Sequence, residues 1–132
     1  MRIIQTIFFI CLLISCEDND INKNTNLTLG TYKGQFIRSN PYAKFAPSNI
    51  TLTITRDKFS GESDKEKYPA ICNGTYKITG QEIEFFDACV WTADFDWTYI
   101  LNGKFTLTTH GRKVEMRRSQ NGQSDSYKLE LQ

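Results

Sequence analysis

The densest group of chemically useful side chains lies between Phe85 and Trp97, in the segment FFDACVWTADFDW. Its aspartates, Asp87, Asp94 and Asp96, could provide the paired carboxylates of an acid–base enzyme or glycoside hydrolase, or oxygen ligands for calcium. A calcium loop needs more oxygen donors and usually a glycine, and this segment offers few of them. We therefore expect Asp94 and Asp96 to be turn and strand-start residues whose carboxylates accept hydrogen bonds from nearby backbone amides.

The rest of the chain offers little for catalysis. His110 is the only histidine, and it precedes a glycine in a predicted hairpin turn. No serine lies in a GxSxG motif, and the glycines are scattered among turns rather than clustered in a phosphate-binding loop. We expect a protein without enzymatic activity and without a metal or other cofactor.

Cys72 and Cys89 are predicted to form a disulfide. A two-residue turn at Gly80–Gln81 pairs Ile78 with Ile83, and the same register places the two cysteines opposite each other. At such a non-hydrogen-bonded position the Cα atoms lie about 4.5 Å apart, which a disulfide can bridge. The bridge should stabilise the fold by roughly 3 kcal/mol in the chain-entropy model. Neither cysteine has a second cysteine or histidine at metal-ligand spacing.

The start of the chain, MRIIQTIFFICLLISC, has the pattern of a signal peptide, with Arg2 before the apolar run Ile7–Ile14. The letters LISC resemble the lipobox of bacterial lipoproteins. That resemblance implies that residues 1–15 are removed and that Cys16 carries acyl chains. Each buried methylene contributes about 0.8 kcal/mol, so two or more chains give a stable membrane anchor. A plain secretory peptide is the alternative.

The predicted organisation is an acylated cysteine and polar tether over residues 16–29, followed by one folded domain over residues 30–132. The acidic letters CEDND resemble the export signal of surface lipoproteins in the Bacteroidota. We expect a lipid-anchored protein of the bacterial outer membrane that faces the periplasm or the cell surface. Loss of Arg2 with the leader would balance the 16 Lys and Arg against the 15 Asp and Glu, so nucleic acid is not an expected partner.

From Gly30 onward, apolar and polar residues alternate and turn signals recur at short intervals. This pattern predicts an all-β antiparallel up-and-down meander of eight or nine strands. A two-residue turn at Asn121–Gly122 pairs Met116 with Tyr127. The same register puts apolar pairs on one face of the hairpin and opposite charges on the other, as stable cross-strand pairing favours.

Turn chemistry predicts three further hairpins. They comprise a two-residue turn at His110–Gly111, a three-residue loop ending at Gly103, and a turn at Arg56–Asp57. The pairs that they imply are Leu107 with Val114 and Phe105 with Met116, Tyr99 with Phe105 and Trp97 with Leu107, and Ile54 with Phe59.

A meander of this length is expected to close into a small barrel, because closure removes its unpaired edges. The chain resembles a calycin of the lipocalin or fatty-acid-binding type. Its LGTYKGQF segment is similar to the first strand of lipocalins, with Tyr32 where those proteins have tryptophan. An antiparallel β-sandwich is the alternative. The residues predicted to point inward are Tyr32, Phe36, Leu52, Phe59, Tyr76, Phe85, Trp97, Tyr99, Phe105, Met116 and Tyr127.

The sequence is compatible with two functions. In the first, the barrel binds an apolar or amphipathic small molecule, and the predicted contacts are Trp91, Trp97, Tyr99, Tyr76 and Tyr127. In the second, the barrel has a solid core and acts as a protein-interaction, structural or inhibitor module of the envelope, through the loop SNPYAKFAPS and the Trp91 segment. The crossing Val90–Asp96 is expected to cover one end of the barrel as a lid or a plug.

Overall fold

Nine strands build the domain, and the clearest alternation of buried and more exposed residues is in β3 and β6. The computed structural model describes residues 26–132, so the predicted leader, Cys16 and most of the tether lie outside the described residues. The strands are β1 (Gly30–Asn40), β2 (Ala43–Lys44), β3 (Ser48–Ile54), β4 (Lys58–Ser63), β5 (Asn73–Thr79), β6 (Glu82–Asp87), β7 (Gly103–His110), β8 (Lys113–Gln120) and β9 (Gln123–Leu131). A short 3₁₀ turn spans Trp97–Tyr99.

Eight of these strands form a closed antiparallel barrel. Each strand from β3 to β8 pairs with the next along the chain, and β1 closes the ring by pairing with both β3 and β9. The short strand β2 adds to the far end of β1. The predicted all-β meander and its closure are confirmed, and the alternative sandwich is not what forms.

Several predicted registers are confirmed. The pairs Met116–Tyr127, Ile78–Ile83 and Ile54–Phe59 all occur. Asn121 and Gly122 both have positive φ, at 50° and 77°, as the type I′ turn between β8 and β9 requires. Local turn chemistry is therefore sufficient to set these hairpins.

The register predicted for β7 and β8 is wrong by two residues. Leu107 pairs with Met116 rather than with Val114, and the two turn residues are Gly111–Arg112. The reason lies in the turn, because Gly111 has a φ of 60° and takes the first turn position, where a two-residue turn with one positive φ needs glycine. A shift of two residues leaves every side chain on its predicted face.

The predicted hairpin between Trp97 and Leu107 is also wrong. Residues 97–99 form a 3₁₀ turn, and β7 pairs with β6 instead, with Ile83 opposite Phe105. The 3₁₀ turn forms because the Asp96 carboxylate accepts a hydrogen bond from the backbone N–H of Thr98 at 2.9 Å. Trp97 consequently points outward and is 56% exposed, where the prediction placed it inside.

Aromatic rings fill the barrel interior. The ring centroids of Phe36 and Tyr127 lie 4.9 Å apart, and those of Phe105 and Tyr127 lie 5.6 Å apart. Phe85 packs edge-on against Phe59 at 5.0 Å and against Phe105 at 5.9 Å. These separations are those of favourable aromatic packing, so the rings contact one another across the interior.

The two ends of the barrel differ. The first, which we call the turn end, carries the tight connections 55–57, 80–81 and 111–112 together with the start of β1 and the end of β9. The second, the loop end, carries the long connections 41–47, 64–72 and 88–102. Long connections therefore gather at one end, where they can form a site.

Candidate functional site

The two longest connections at the loop end are tied to each other. Cys72 and Cys89 form the predicted disulfide, with a Cα–Cα distance of 6.3 Å. The distance exceeds the value expected for a paired position because the β5–β6 ladder ends at Gly74 and Asp87, two residues before it reaches the cysteines. Ala70 also forms a backbone bridge with Ile100, so the connection 88–102 is held on the barrel at two points.

An open groove of about 380 Å³ lies in this crossing. It runs along the end of β6 and the approach to β7. We call it the tryptophan groove, and it is lined by Asp87, Cys89, Val90, Trp91, Trp97, Ile100 and Asn102. Both tryptophans of the chain line it.

Hydrogen bonds hold both indoles in place. The Nε1–H of Trp91 donates to the Asp87 carboxylate at 2.6 Å, and the Nε1–H of Trp97 donates to the carbonyl oxygen of Thr92 at 2.9 Å. The ring of Trp91 also packs edge-on against Phe95, with centroids 5.8 Å apart. The polar edge of each indole is therefore already used, and the apolar faces are what a ligand would meet.

Asp87 is the acidic group of the tryptophan groove. Burial raises the pKa of its carboxyl group above the usual value, although hydrogen bonds from Trp91 and from the backbone of Cys89 act in the opposite direction. Within residues 26–132, Asp87 forms no salt bridge. Its backbone N–H donates to Oδ1 of Asn102 at 3.0 Å, which fixes the amide beside it.

Asp94 and Asp96 have structural partners, as expected for turn aspartates. The Asp94 carboxylate accepts from the Thr92 hydroxyl and from Lys67 Nζ, at 3.2 Å for the lysine. These hydrogen bonds, the Thr92 one first, lower the pKa of the exposed Asp94 carboxyl group. Asp96 caps the 3₁₀ turn through Thr98. Each of the two carboxylates therefore stabilises the local backbone around it, and the two do not share a partner among the described residues.

A buried ionic cluster lies beside the connection 88–102, and the sequence analysis did not predict it. We call Arg38, Arg118 and Asp125, together with Thr98, the arginine–aspartate cluster. Nε and Nη2 of Arg38 donate to the two carboxylate oxygens of Asp125 at 2.6 and 2.8 Å, and Arg118 Nη2 donates to the same carboxylate at 3.0 Å. Both arginines also donate to the carbonyl oxygen of Thr98, each at 2.9 Å.

The arginine–aspartate cluster positions one wall of the tryptophan groove. Arg118 Nη1 donates to the carbonyl oxygen of Asn102 at 2.8 Å, so the two arginines hold the backbone on both sides of Ile100. The Arg38 guanidinium also stacks on the Tyr99 ring at 3.8 Å. Burial opposes the charge of Arg38, but the hydrogen bonds and charge of Asp125 outweigh it and raise the pKa of the guanidinium.

The five predicted ligand contacts do not form one site. Trp91 and Trp97 meet in the tryptophan groove. Tyr76 lies at the turn end, where its hydroxyl donates to the carbonyl oxygen of Thr55 at 2.6 Å. Tyr99 stacks on Arg38, and Tyr127 is fully buried in the packed interior, with no hydrogen-bond partner for its hydroxyl among the described residues.

Comparison of the chain with protein families, with curated proteins and with solved structures finds no match in any of the three. The fold itself is a small closed eight-stranded barrel, consistent with a lipocalin-like architecture. In the part of the chain that the structure describes, no three His, Cys, Asp or Glu side chains are grouped so as to hold a metal ion. No helix within residues 26–132 is long and apolar enough to cross a membrane.

Proposed function

We propose that this chain is a lipid-anchored envelope protein whose solid barrel is a scaffold for a protein-binding surface at the loop end. The observation that carries the proposal is that aromatic rings pack against one another throughout the interior, while three of the five large apolar side chains that are exposed among the described residues lie on the loop-end connections. The protein has no enzymatic activity in this proposal, and its recognition surface includes the tryptophan groove.

The filled interior supports the scaffold role. An eight-stranded barrel is only just wide enough for its own side chains, and here Phe36, Phe85 and Tyr127 are each 0% exposed. A ligand of ordinary size needs a cavity of about 300 Å³ or more. Such a ligand would have to displace several of these rings, which favours recognition on the outside of the barrel.

Exposed apolar side chains at the loop end support a protein partner. Val90 is 99% exposed and Tyr42, on the short loop between β1 and β2, is 97% exposed. Trp97 is 56% exposed although hydrogen bonding fixes its ring. Aromatic anchors of this kind dominate protein interfaces, and a ring that is already immobilised loses little entropy on binding.

The position of the predicted anchor agrees with this surface. The chain enters the barrel at Gly30, at the turn end, so a membrane anchor at Cys16 would attach to the opposite end from the tryptophan groove. A protein held in this way has its loop end free to face away from the membrane that holds it. The expected partner is therefore a protein of the envelope or cell surface.

One observation favours a second candidate function. The tryptophan groove, at about 380 Å³, falls within the usual range of small-molecule sites. An amphipathic small molecule bound in this groove, outside the barrel, is the alternative occupant.

Site-specific photo-crosslinking of the full-length protein in its own cells tests the proposal. A benzophenone amino acid replaces Tyr42 or Val90 at the loop end, and Gln81 or Arg112 at the turn end serves as the matched control. We expect a discrete adduct with one protein from the loop-end positions alone. Equal adducts from both ends, or none from either, would contradict the proposed surface.

Native mass spectrometry of the oxidised protein purified from the same cells tests the second candidate. A bound small molecule that is lost in Trp97→Ala but kept in Phe86→Ala would identify the groove as a small-molecule site. Phe86 is the control because it is also an exposed aromatic residue, at 46%. A mass equal to that of the acylated chain alone would leave the protein-binding function as the better one.

A further inference from the structure

The tryptophan groove has an unbalanced charge. Asp87 is the one charged side chain among its lining residues, and Cys89, the other ionisable type in that lining, is held in the disulfide. The other carboxylates of the crossing are engaged elsewhere, because Asp94 pairs with Lys67, and Asp96 lies 3.7 Å from Arg38 and caps the 3₁₀ turn. Beside its two indoles, the groove therefore presents one carboxylate that forms no salt bridge within residues 26–132.

This combination selects a class of ligand. The face of an indole carries negative electrostatic potential and attracts a cation, and tryptophan does so most strongly of the aromatic residues. A carboxylate at the same site adds to the attraction, and partial burial makes the charge interaction stronger than it would be in water. An acidic ligand would be repelled by Asp87, and a neutral apolar ligand would leave the carboxylate half-buried without a counter-charge.

We propose that the tryptophan groove receives an organic cation, namely the basic side chain of a lysine or arginine of the partner protein. This inference rests on the proposed function, since it names the chemical group by which the partner enters the surface. The aliphatic part of such a side chain packs on Trp97 and Val90, and its charged end lies against Asp87. The indole N–H of Trp91 keeps that carboxylate oriented, at 2.6 Å.

The two tryptophans supply the readout. They are the only ones in the chain and both line the groove, so fluorescence excited selectively at tryptophan, and not at the six tyrosines, reports on this site. The intact protein in a neutral maltoside detergent is titrated with choline and with 3,3-dimethylbutan-1-ol, which has the same shape without the charge. Nα-acetyl-lysine N-methylamide is the third probe. We expect both cations to bind about tenfold more tightly than the alcohol.

Variants separate charge from shape. Asp87→Asn keeps a hydrogen-bond acceptor for Trp91 and removes the charge, so the preference for choline over the alcohol should fall to about twofold or less. Asp94→Asn, on the same crossing but outside the groove, is the matched control and should keep the full preference. Trp97→Leu is a second variant, which weakens cation binding even if Asp87→Asn proves misfolded by near-ultraviolet circular dichroism.

The pH dependence of choline binding is a further test. Protonation of Asp87 removes the attraction, so choline affinity should fall as the pH decreases through the raised pKa of that carboxyl group. No other titratable side chain lines the groove, so the alcohol should show no such change.

Each outcome decides something different. Equal binding of choline and the alcohol would overturn the proposal that the ligand is a cation, and the groove would remain a binding surface. No fluorescence change with any probe would overturn both. A third outcome is that choline binds, the lysine derivative does not, and the loop end forms no crosslinks. That outcome would assign the site to a free small cation and would overturn the proposal that a side chain of the partner occupies it.

Discussion

Arg38 is a charged residue on the inward-facing side of β1, two residues beyond the buried Phe36. The fold tolerates it because four of its N–H groups reach acceptors on Asp125 and Thr98. Asp96, 3.7 Å away, adds a second carboxylate, so the two arginines of the cluster face two acids. A buried cation that is bonded in this way avoids most of the cost of losing water.

Breaking this cluster should be costly. We expect Asp125→Asn to lower the free energy of unfolding by about 3 kcal/mol, because Arg38 and Arg118 stay buried without their shared carboxylate. Urea denaturation measures the loss. Glu82→Gln, which removes an exposed partner of Lys104, is the control and should change stability little. Losses of equal size in the two variants would show that the cluster contributes no more than a surface ion pair.

Part of this cluster follows from the sequence. Counting one inward step beyond the pair Met116–Tyr127 places Arg118 opposite Asp125 in the same predicted register, and this pair does occur. Arg38 could not be placed in that way. Its contact with Asp125 depends on the closure of β1 against β9, and no turn connects those two strands to set their register.

Asp87 should make stability depend on pH in an unusual direction. Its pKa in the fold is raised above the ordinary value of 3.8, so the folded state holds the proton more tightly than the unfolded chain does. This contribution is fully present below 3.8 and is lost as the pH rises through the higher folded-state pKa. Relative to Asp87→Asn, the wild-type protein should therefore lose stability from acid to neutral pH.

Urea denaturation over a pH series measures this difference. Asp94→Asn is a control with the opposite sign, because the pKa of Asp94 is lowered and its contribution is lost as the pH falls. A wild-type advantage over Asp87→Asn that grows with rising pH would contradict the prediction.

At the scale of elements, β1 is the strand on which closure depends, because it is paired on both sides. Gly34 lies at the middle of its contacts, opposite Ile50 of β3 and Leu129 of β9. A Cβ atom at Gly34 would lie 1.9 Å from the carbonyl oxygen of Lys128. The neighbouring strand can approach β1 only because this position carries no side chain.

Gly34→Ala should therefore destabilise the barrel by about 3 kcal/mol, because backbone atoms must move to make room. Gly122→Ala is the matched control. A Cβ atom there meets nothing within 4 Å, and its φ of 77° lies in the left-handed region, which should cost about 1 kcal/mol of backbone strain. Thermal or urea unfolding of the two variants compares these costs, and equal losses would refute a steric role for Gly34.

Most hairpins set by local turns were predictable, although the turn at Gly111 was misplaced, and elements set by distant contacts were not. The type I′ turn at Asn121–Gly122 determines its hairpin without help from the rest of the chain. The segment Trp97–Tyr99 alternates like a strand, yet it is a 3₁₀ turn lying over the barrel end. Period-two alternation reports alternating burial, and a connection that covers a core can produce the same pattern.

The candidate site was only partly predictable for the same reason. Trp91 was expected to cover one end of the barrel; it lines the tryptophan groove, whereas Tyr99 and Leu101 of the same connection are the residues that pack on the core. Trp97 joins the groove because the chain turns at Asp96, a contact that no strand pattern would indicate.

For the whole molecule, the filled interior predicts a sharp contrast between neighbouring residues. Phe85 is 0% exposed, whereas Phe86 points outward from the same strand and is 46% exposed. We expect Phe85→Ala to cost about 4 kcal/mol in free energy of unfolding and Phe86→Ala less than about 1 kcal/mol. Chemical denaturation tests this contrast, and a small loss in Phe85→Ala would mean that the rings pack loosely enough to admit a ligand.

Closure by β1 and β9 also governs when the chain can fold. The first and last strands of the barrel pair with each other from Tyr32–Leu131 to Ser39–Ser124. The hairpin that carries Cys72 and Cys89 can form from local contacts, but the ring cannot close until the final strand has emerged from the ribosome or a translocation channel. Until that moment both edges lack partners, so the native barrel forms as a late event after synthesis and delivery of the whole domain.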